Sequence, residues 1–157
     1  MTTKETAAAI RTELKTVGYG RDAVSVTVSS GGSINVTIKS ANVKRAQVKA
    51  IASKYERVDR CHVTHEILCG ANTFVFIRID DALMSARMAE IRTAAEAAGL
   101  SSKGWARFDF NGIKYEVQGD KRICAIVWGG ETGSRIGAPY MYNLDEAIAA
   151  VASHSFG

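Results

Sequence analysis

Ala23-Val24-Ser25-Val26-Thr27-Val28-Ser29, followed after Ser30-Gly31-Gly32-Ser33 by Ile34-Asn35-Val36-Thr37-Ile38-Lys39, is the stretch whose reading decides the fold. Valines 24, 26 and 28 alternate with Ser25 and Thr27, and Ile34, Val36 and Ile38 alternate with Asn35 and Thr37, which is the two-residue period of half-buried strands. Gly31-Gly32 between them supplies the backbone freedom of a tight connection, so the pair reads as a β-hairpin. A helical pattern lies on each side of this ribbon. The ribbon is therefore expected to be the sheet nucleus that both helices cover.

Before the ribbon, Ala7, Ile10, Leu14 and Val17 recur at helical spacing from Thr3 to Val17, with Thr3 or Thr6 as the cap and Gly18 and Gly20 as the stop. After it, the segment from Val43 to about Tyr55 reads as a second helix, with Val43, Ala46, Ala50 and Ile51 inside and Lys44, Arg45, Lys49 and Lys54 largely outside. Val58 to Leu68 and Thr73 to Ile79 follow as a second hairpin. Its second strand is apolar on both faces at its start, as a central strand is.

Asp80-Asp81 caps a helix to about Ala98, with Leu83, Met84, Met88, Ile91, Ala95 and Ala98 as its stripe and Gly99 as its stop. Gly104 to Phe110, Ile113 to Gln118 and Arg122 to Trp128 then read as strands, and Asn111-Gly112 is a strong hairpin signal. An irregular stretch from Gly129 to Tyr142 leads to a last helix ending near His154, with Leu144, Ala147, Ile148 and Val151 inward. The expected class is α+β: an α-β-β-α-β-β unit over 1–80, a linking helix over 81–99, and a β-β-β-α unit over 100–157, with antiparallel sheets.

The 157 residues, 46% hydrophobic, can bury a real core, and disorder is not expected. No apolar run approaches the roughly 20 residues of a membrane helix, and the first residues do not resemble a signal peptide, so a cytoplasmic, membrane-free protein is expected. Three cysteines suit free thiols in a reducing compartment. The net charge of +4 is uneven: residues 1–60 carry 11 Lys/Arg against 5 Asp/Glu, residues 61–100 carry 3 against 5, and residues 101–157 carry 6 against 6. A basic first third attracts nucleic acid or an acidic protein surface.

Ile10-Arg11-Thr12-Glu13-Leu14-Lys15, then Val24-Ser25-Val26, then Gly31-Gly32-Ser33-Ile34-Asn35-Val36 with a helix behind, resembles a module of phage and mobile-element proteins. It is similar to the twenty-ninth of the large polyvalent protein associated domains, whose members pair an Arg-x-Glu-Leu-Lys helix with a strand and a Ser-x-Ile-x-Val strand. The likeness covers residues 5–80. Where members carry an aromatic residue and Gly-Pro after the second strand, this chain has Ile38-Lys39-Ser40. The resemblance implies a phage or mobile-element accessory protein and brings no catalytic residues.

Cys61, His62, His65 and Cys69 form the densest set of metal-ligand residue types. In a helix His62, His65 and Cys69 would share a face and suit zinc, whereas in a strand the two histidines point apart, and the strand reading is preferred. His62-Val63-Thr64 is half of a two-histidine phosphoesterase signature whose second copy is missing. In the 129–142 stretch, Gly130 and Gly133 could present amides to an anion with Arg135 closing over it, although the spacing matches neither a P-loop nor a dinucleotide fingerprint. No cofactor is expected. Arg107, Lys114 and Arg122 on adjacent strands could line one sheet face. The leading expectation is a non-enzymatic accessory protein that binds nucleic acid, or a host nucleic-acid-handling or defence complex, through Lys44, Arg45, Lys49 and Lys54. A small-ligand protein or enzyme using the glycine-rich stretch is the second reading, and an assembly protein dimerising at a sheet edge is the third.

Overall fold

In the computed structural model, which describes residues 1–67, 72–101, 104–119, 123–129, 132–137 and 141–157, the ribbon forms as read. Strands β1 (Val24–Val28) and β2 (Ile34–Ile38) pair antiparallel with Val26 opposite Val36, and Gly32 takes the positive φ in the connection. Helix α1 (Thr3–Thr16) precedes them. Its cap is Thr2, one residue earlier than expected, because the Thr2 hydroxyl accepts from Glu5 N while the Glu5 carboxylate accepts from Thr2 N. Thr6 is buried, and its hydroxyl donates to Thr2 O.

The second helix, α2, is shorter than its periodicity suggested and spans Arg45–Ala52, followed by a single 3-10 turn at Ser53–Tyr55. With the start shifted past Val43, its inward side is Val48, Ile51 and Ala52, and Ala46 and Ala50 are exposed. The expected second hairpin is replaced by a different connection. Only isolated bridges, Arg57 with Thr73 and Arg60 with Ile67, occur where its first strand was expected among the described residues. Strand β3 (Val75–Ile79) pairs parallel to β2, with Val36 opposite Ile77. A parallel neighbour requires a long crossover, which the segment carrying α2 supplies. The sheet order is β1-β2-β3, so β2 is central and β3 an outer strand, contrary to the expectation from its apolar start. Helices α1 and α2 lie on the side where Val24, Val26, Ile34, Val36 and Ile38 are buried.

The chain divides into two compact units, residues 1–80 and 81–157. In the second unit, α3 (Asp81–Ala97) packs on β4 (Trp105–Phe110) and on α4 (Leu144–His154). Strands β4, β5 (Ile113–Gln118), β6 (Cys124–Gly129) and β7 (Thr132–Ile136) form an antiparallel sheet in chain order. Asn111 and Gly112 both adopt positive φ, as the two-residue turn between β4 and β5 requires. Strand β7 lies in the stretch expected to be irregular. Four of its five residues are exposed, so it carries no apolar alternation to announce it.

The core of this unit gathers Ile91 and Ala95 of α3, Phe108, Tyr115, Val117 and Ala125 of the sheet, and Ala147, Ile148 and Val151 of α4. Arg87 interrupts the α3 stripe and is nevertheless buried, its guanidinium 4.8 Å from the Phe156 ring and 5.4 Å from that of Phe110. Ala98, expected on the stripe, is exposed. No helix is long and apolar enough to cross a membrane among the described residues.

Candidate nucleic-acid interface

The first unit holds the charge, with 12 Lys/Arg against 7 Asp/Glu in residues 1–80 and 8 against 9 in residues 81–157. A concavity of this unit runs between the outer side of α1 and the free edge of β1. This groove, about 620 Å³, is lined by Arg11, Lys15, Tyr19, Arg21, Ser25 and Thr27 over a floor of Leu14, Val24 and Val26. Among the described residues, three cations and no carboxylate line it. Arg11 and Lys15 are one helical turn apart and so share a side of α1. Arg11 is held in place, its Nη2 and Nε donating to Val26 O at 2.7 and 3.2 Å on the β1 edge.

Tyr19 joins this groove to the start of α2. Its hydroxyl accepts from Lys44 N at 3.3 Å and donates to Gln47 Oε1. The four cations expected on α2 are thereby placed as follows. Lys44 is the exposed N-cap residue beside Tyr19, and Arg45 and Lys49, four apart, lie on one side of the helix. Lys54 sits in the 3-10 turn, paired with Glu13 at 2.8 Å. The Lys54 ammonium and the Tyr55 hydroxyl hold the Glu13 carboxyl below its usual range, and Glu13 in turn raises the Tyr55 phenol. Lys54 is thus committed to an intramolecular partner, whereas Lys44 lies beside Tyr19 at the end of the groove. A helix that begins with two cations and has no acidic residue in its first turn also leaves its amino-terminal dipole uncompensated.

Sequence reasoning passed over Arg21, and it met Arg11 and Lys15 only within the Arg-x-Glu-Leu-Lys motif. Their four-residue spacing was the available signal. The groove itself arises when the β1 edge folds beside α1, a contact 10 to 15 residues distant in sequence.

The other sequence candidates lie elsewhere. His62 and His65 are exposed in a tight turn in which His65 N donates to Cys61 O at 2.9 Å and Cys61 N to Glu66 O at 2.8 Å, so this segment is neither helix nor strand. Cys69 lies outside the described residues, as do Gly130 and Arg122. Among the described residues no group of three His, Cys, Asp or Glu side chains is placed to hold a metal ion. Cys61 is notable for another reason. The Thr64 hydroxyl and then the Thr64 and Val63 amides bring its thiol down to about 7.

Gly133 is in β7 opposite Trp128, where an added Cβ would come within 2.8 Å of Ile126 Cγ2 and 3.3 Å of the Trp128 ring. Its lack of a side chain is thus explained by a close approach inside the sheet. Arg135, also in β7, is exposed opposite Ile126. The strand register puts Arg107, Glu116, Ile126 and Arg135 in one row on the sheet face opposite the core, with Lys114 and Trp128 in the next. On this face Glu116 is buried and accepts from Arg107 Nη2 and Gln118 Nε2, each at 2.7 Å, while Arg107 stacks 4.2 Å from the Trp128 ring. Burial raises the Glu116 pKa, but the bonds from Arg107 and Gln118 and the Arg107 charge outweigh it, and the net shift is downward. Trp128 Nε1 adds to that lowering, though it is buried without a hydrogen bond of ordinary geometry. On this face Arg107 is committed to Glu116, which leaves Lys114, opposite Asp109, and Arg135, a weaker concentration of positive charge than the first unit's groove.

No protein-family model matches the chain, and neither a curated protein nor a solved structure is detectably similar to it.

Proposed function

We propose that this is a non-enzymatic accessory protein of a phage or mobile element that binds nucleic acid, or a host complex handling nucleic acid, such as a defence complex, in the bacterial cytoplasm. The phage or mobile-element setting comes from the resemblance of residues 5–80. The binding activity rests on one observation, the groove of Arg11, Lys15 and Arg21, which has no carboxylate among its described lining residues and which Tyr19 connects to the start of α2 at Lys44. Cations tracking one another across a surface neutralise successive phosphates and release their counterions, which gives affinity without sequence readout.

The test compares the wild type with two variants, Lys15→Ala/Arg21→Ala and Lys44→Ala/Arg45→Ala/Lys49→Ala, for binding to fluorescently labelled DNA and RNA by anisotropy at low and physiological salt. Both variants are expected to lose most of the affinity, with their thermal melts otherwise intact. Arg11 is kept because its bonds to Val26 O support the β1 edge. Undiminished binding by both variants would sink the assignment.

A further inference from the structure

The side of the first sheet away from α1 and α2 is built from the alternate strand positions. Its register aligns Thr27, Asn35 and Phe76 in one row and Ser25, Thr37 and Arg78 in the next. Phe74 precedes them on the same side, its ring nearly parallel to that of Phe76, with 11° between planes and 6.4 Å between centroids. Phe76 is 48% exposed in the middle of an ordered strand, and Arg78 beside it is exposed and forms no ion pair with a described carboxylate. Two aromatic rings and a guanidinium thus stand at alternate positions along one strand, next to rows of hydroxyl and amide side chains, with Phe76 and Arg78 exposed among the described residues.

We infer that this face is a stacking platform for unpaired bases, so that the ligand of the basic unit is single-stranded nucleic acid. The inference rests on the nucleic-acid reading above and sharpens it. Charge complementarity and continuity support that occupant. Ser25 and Thr27 belong both to this face and to the rim of the basic groove, so the groove opens directly onto the platform. From β1 to β3 is two strand spacings, roughly 10 Å. A strand whose phosphates follow Arg11, Lys15 and Arg21 can therefore lay its bases across the sheet toward Phe76. A duplex keeps its bases stacked on one another and offers no free ring face to the phenylalanines, whereas a single strand does.

The experiment measures anisotropy of the full chain with labelled single-stranded DNA and RNA of about a dozen nucleotides and with the matched duplex. It uses the wild type, Phe76→Ala and Phe76→Trp. The wild type is expected to prefer the single strands. Phe76→Ala is expected to bind them about 5- to 150-fold more weakly, the usual range for one stacked base, with an unchanged salt slope. Phe76→Trp should retain binding and add a tryptophan emission that the oligonucleotide quenches. Circular dichroism of both variants should match the wild type, as a half-exposed side chain allows. Equal single-strand binding by wild type and Phe76→Ala, or a preference for the duplex, overturns the platform while leaving the groove standing. Absence of binding to every nucleic acid at low salt overturns both.

Discussion

Replacing Glu116 with glutamine keeps the shape of the side chain and removes the charge on which one face of the second sheet is organised. The Glu116 side chain is 7% exposed and that of its partner Arg107 50% exposed. Three donors converge on the carboxylate: Arg107 Nη2 at 2.7 Å and Nε at 3.2 Å on one oxygen, and Gln118 Nε2 at 2.7 Å on the other. An amide has one oxygen, so in Glu116→Gln its NH2 must confront either Arg107 or Gln118, donor against donor. A hydrogen bond to a charged group contributes about 1.5–3 kcal/mol, and the half-exposed Arg107 brings this toward the lower end, so the expected loss is about 2 kcal/mol.

Urea unfolding followed by tryptophan fluorescence reads this unit directly, because both tryptophans, Trp105 and Trp128, lie within it. With a slope of about 2 kcal/mol/M, the midpoint should fall by about 1 M. The difference also has a pH signature. The folded-state pKa of Glu116 is depressed, so its stabilisation is fully present above the unfolded value near 4.3 and is lost as pH falls through the folded value. The gap between the two proteins should stay constant from pH 8 to 5 and narrow below about pH 4. Equal midpoints at pH 7, or a gap that persists undiminished at pH 3, would refute the account of this cluster.

Two further predictions follow from single residues. With its thiol at about 7, Cys61 should react with iodoacetamide at a rate that rises through neutral pH, and Thr64→Val should move that midpoint upward. Buried Cys124 should stay unmodified in the native protein, as peptide mapping by mass spectrometry will show. Gly133→Ala should cost about 1–2 kcal/mol, because its methyl overlaps Ile126 Cγ2 and crowds the Trp128 ring, and it should shift the tryptophan emission spectrum. A variant as stable as the wild type, with the same spectrum, would show that β6 and β7 are not packed as described.

The parts of the fold legible from sequence are those fixed by local pattern. The alternation of valine and isoleucine set β1 and β2, Asn111-Gly112 set the turn after β4, and the three- and four-residue spacing of apolar positions set the helices. What escaped depended on distant partners. The parallel pairing of β3 with β2 is settled by a crossover, and no residue within Val75–Ile79 encodes its direction. Strand β7 is an exposed edge whose Thr-Gly-Ser-Arg composition reads as loop. Arg87 carries no local sign of burial, because Phe110 and Phe156 close over it from remote segments. The interface divided the same way. The cations of α2 were visible as a charged helix side, but the groove needed an edge strand beside α1. Phe74 and Phe76 read as packing for a central strand, whereas β3 is an outer strand on which Phe76 is exposed.

The most direct test of the central claim is the slope of log affinity against log salt concentration for a labelled single strand. Each phosphate neutralised contributes about −0.7 to that slope, so engagement of the three groove cations together with Lys44 predicts a value near −2.8. Lys15→Ala/Arg21→Ala should flatten it by about 1.4. That result would place the backbone in the groove beside β1. A slope near zero, or one that the substitutions leave unchanged, would contradict it.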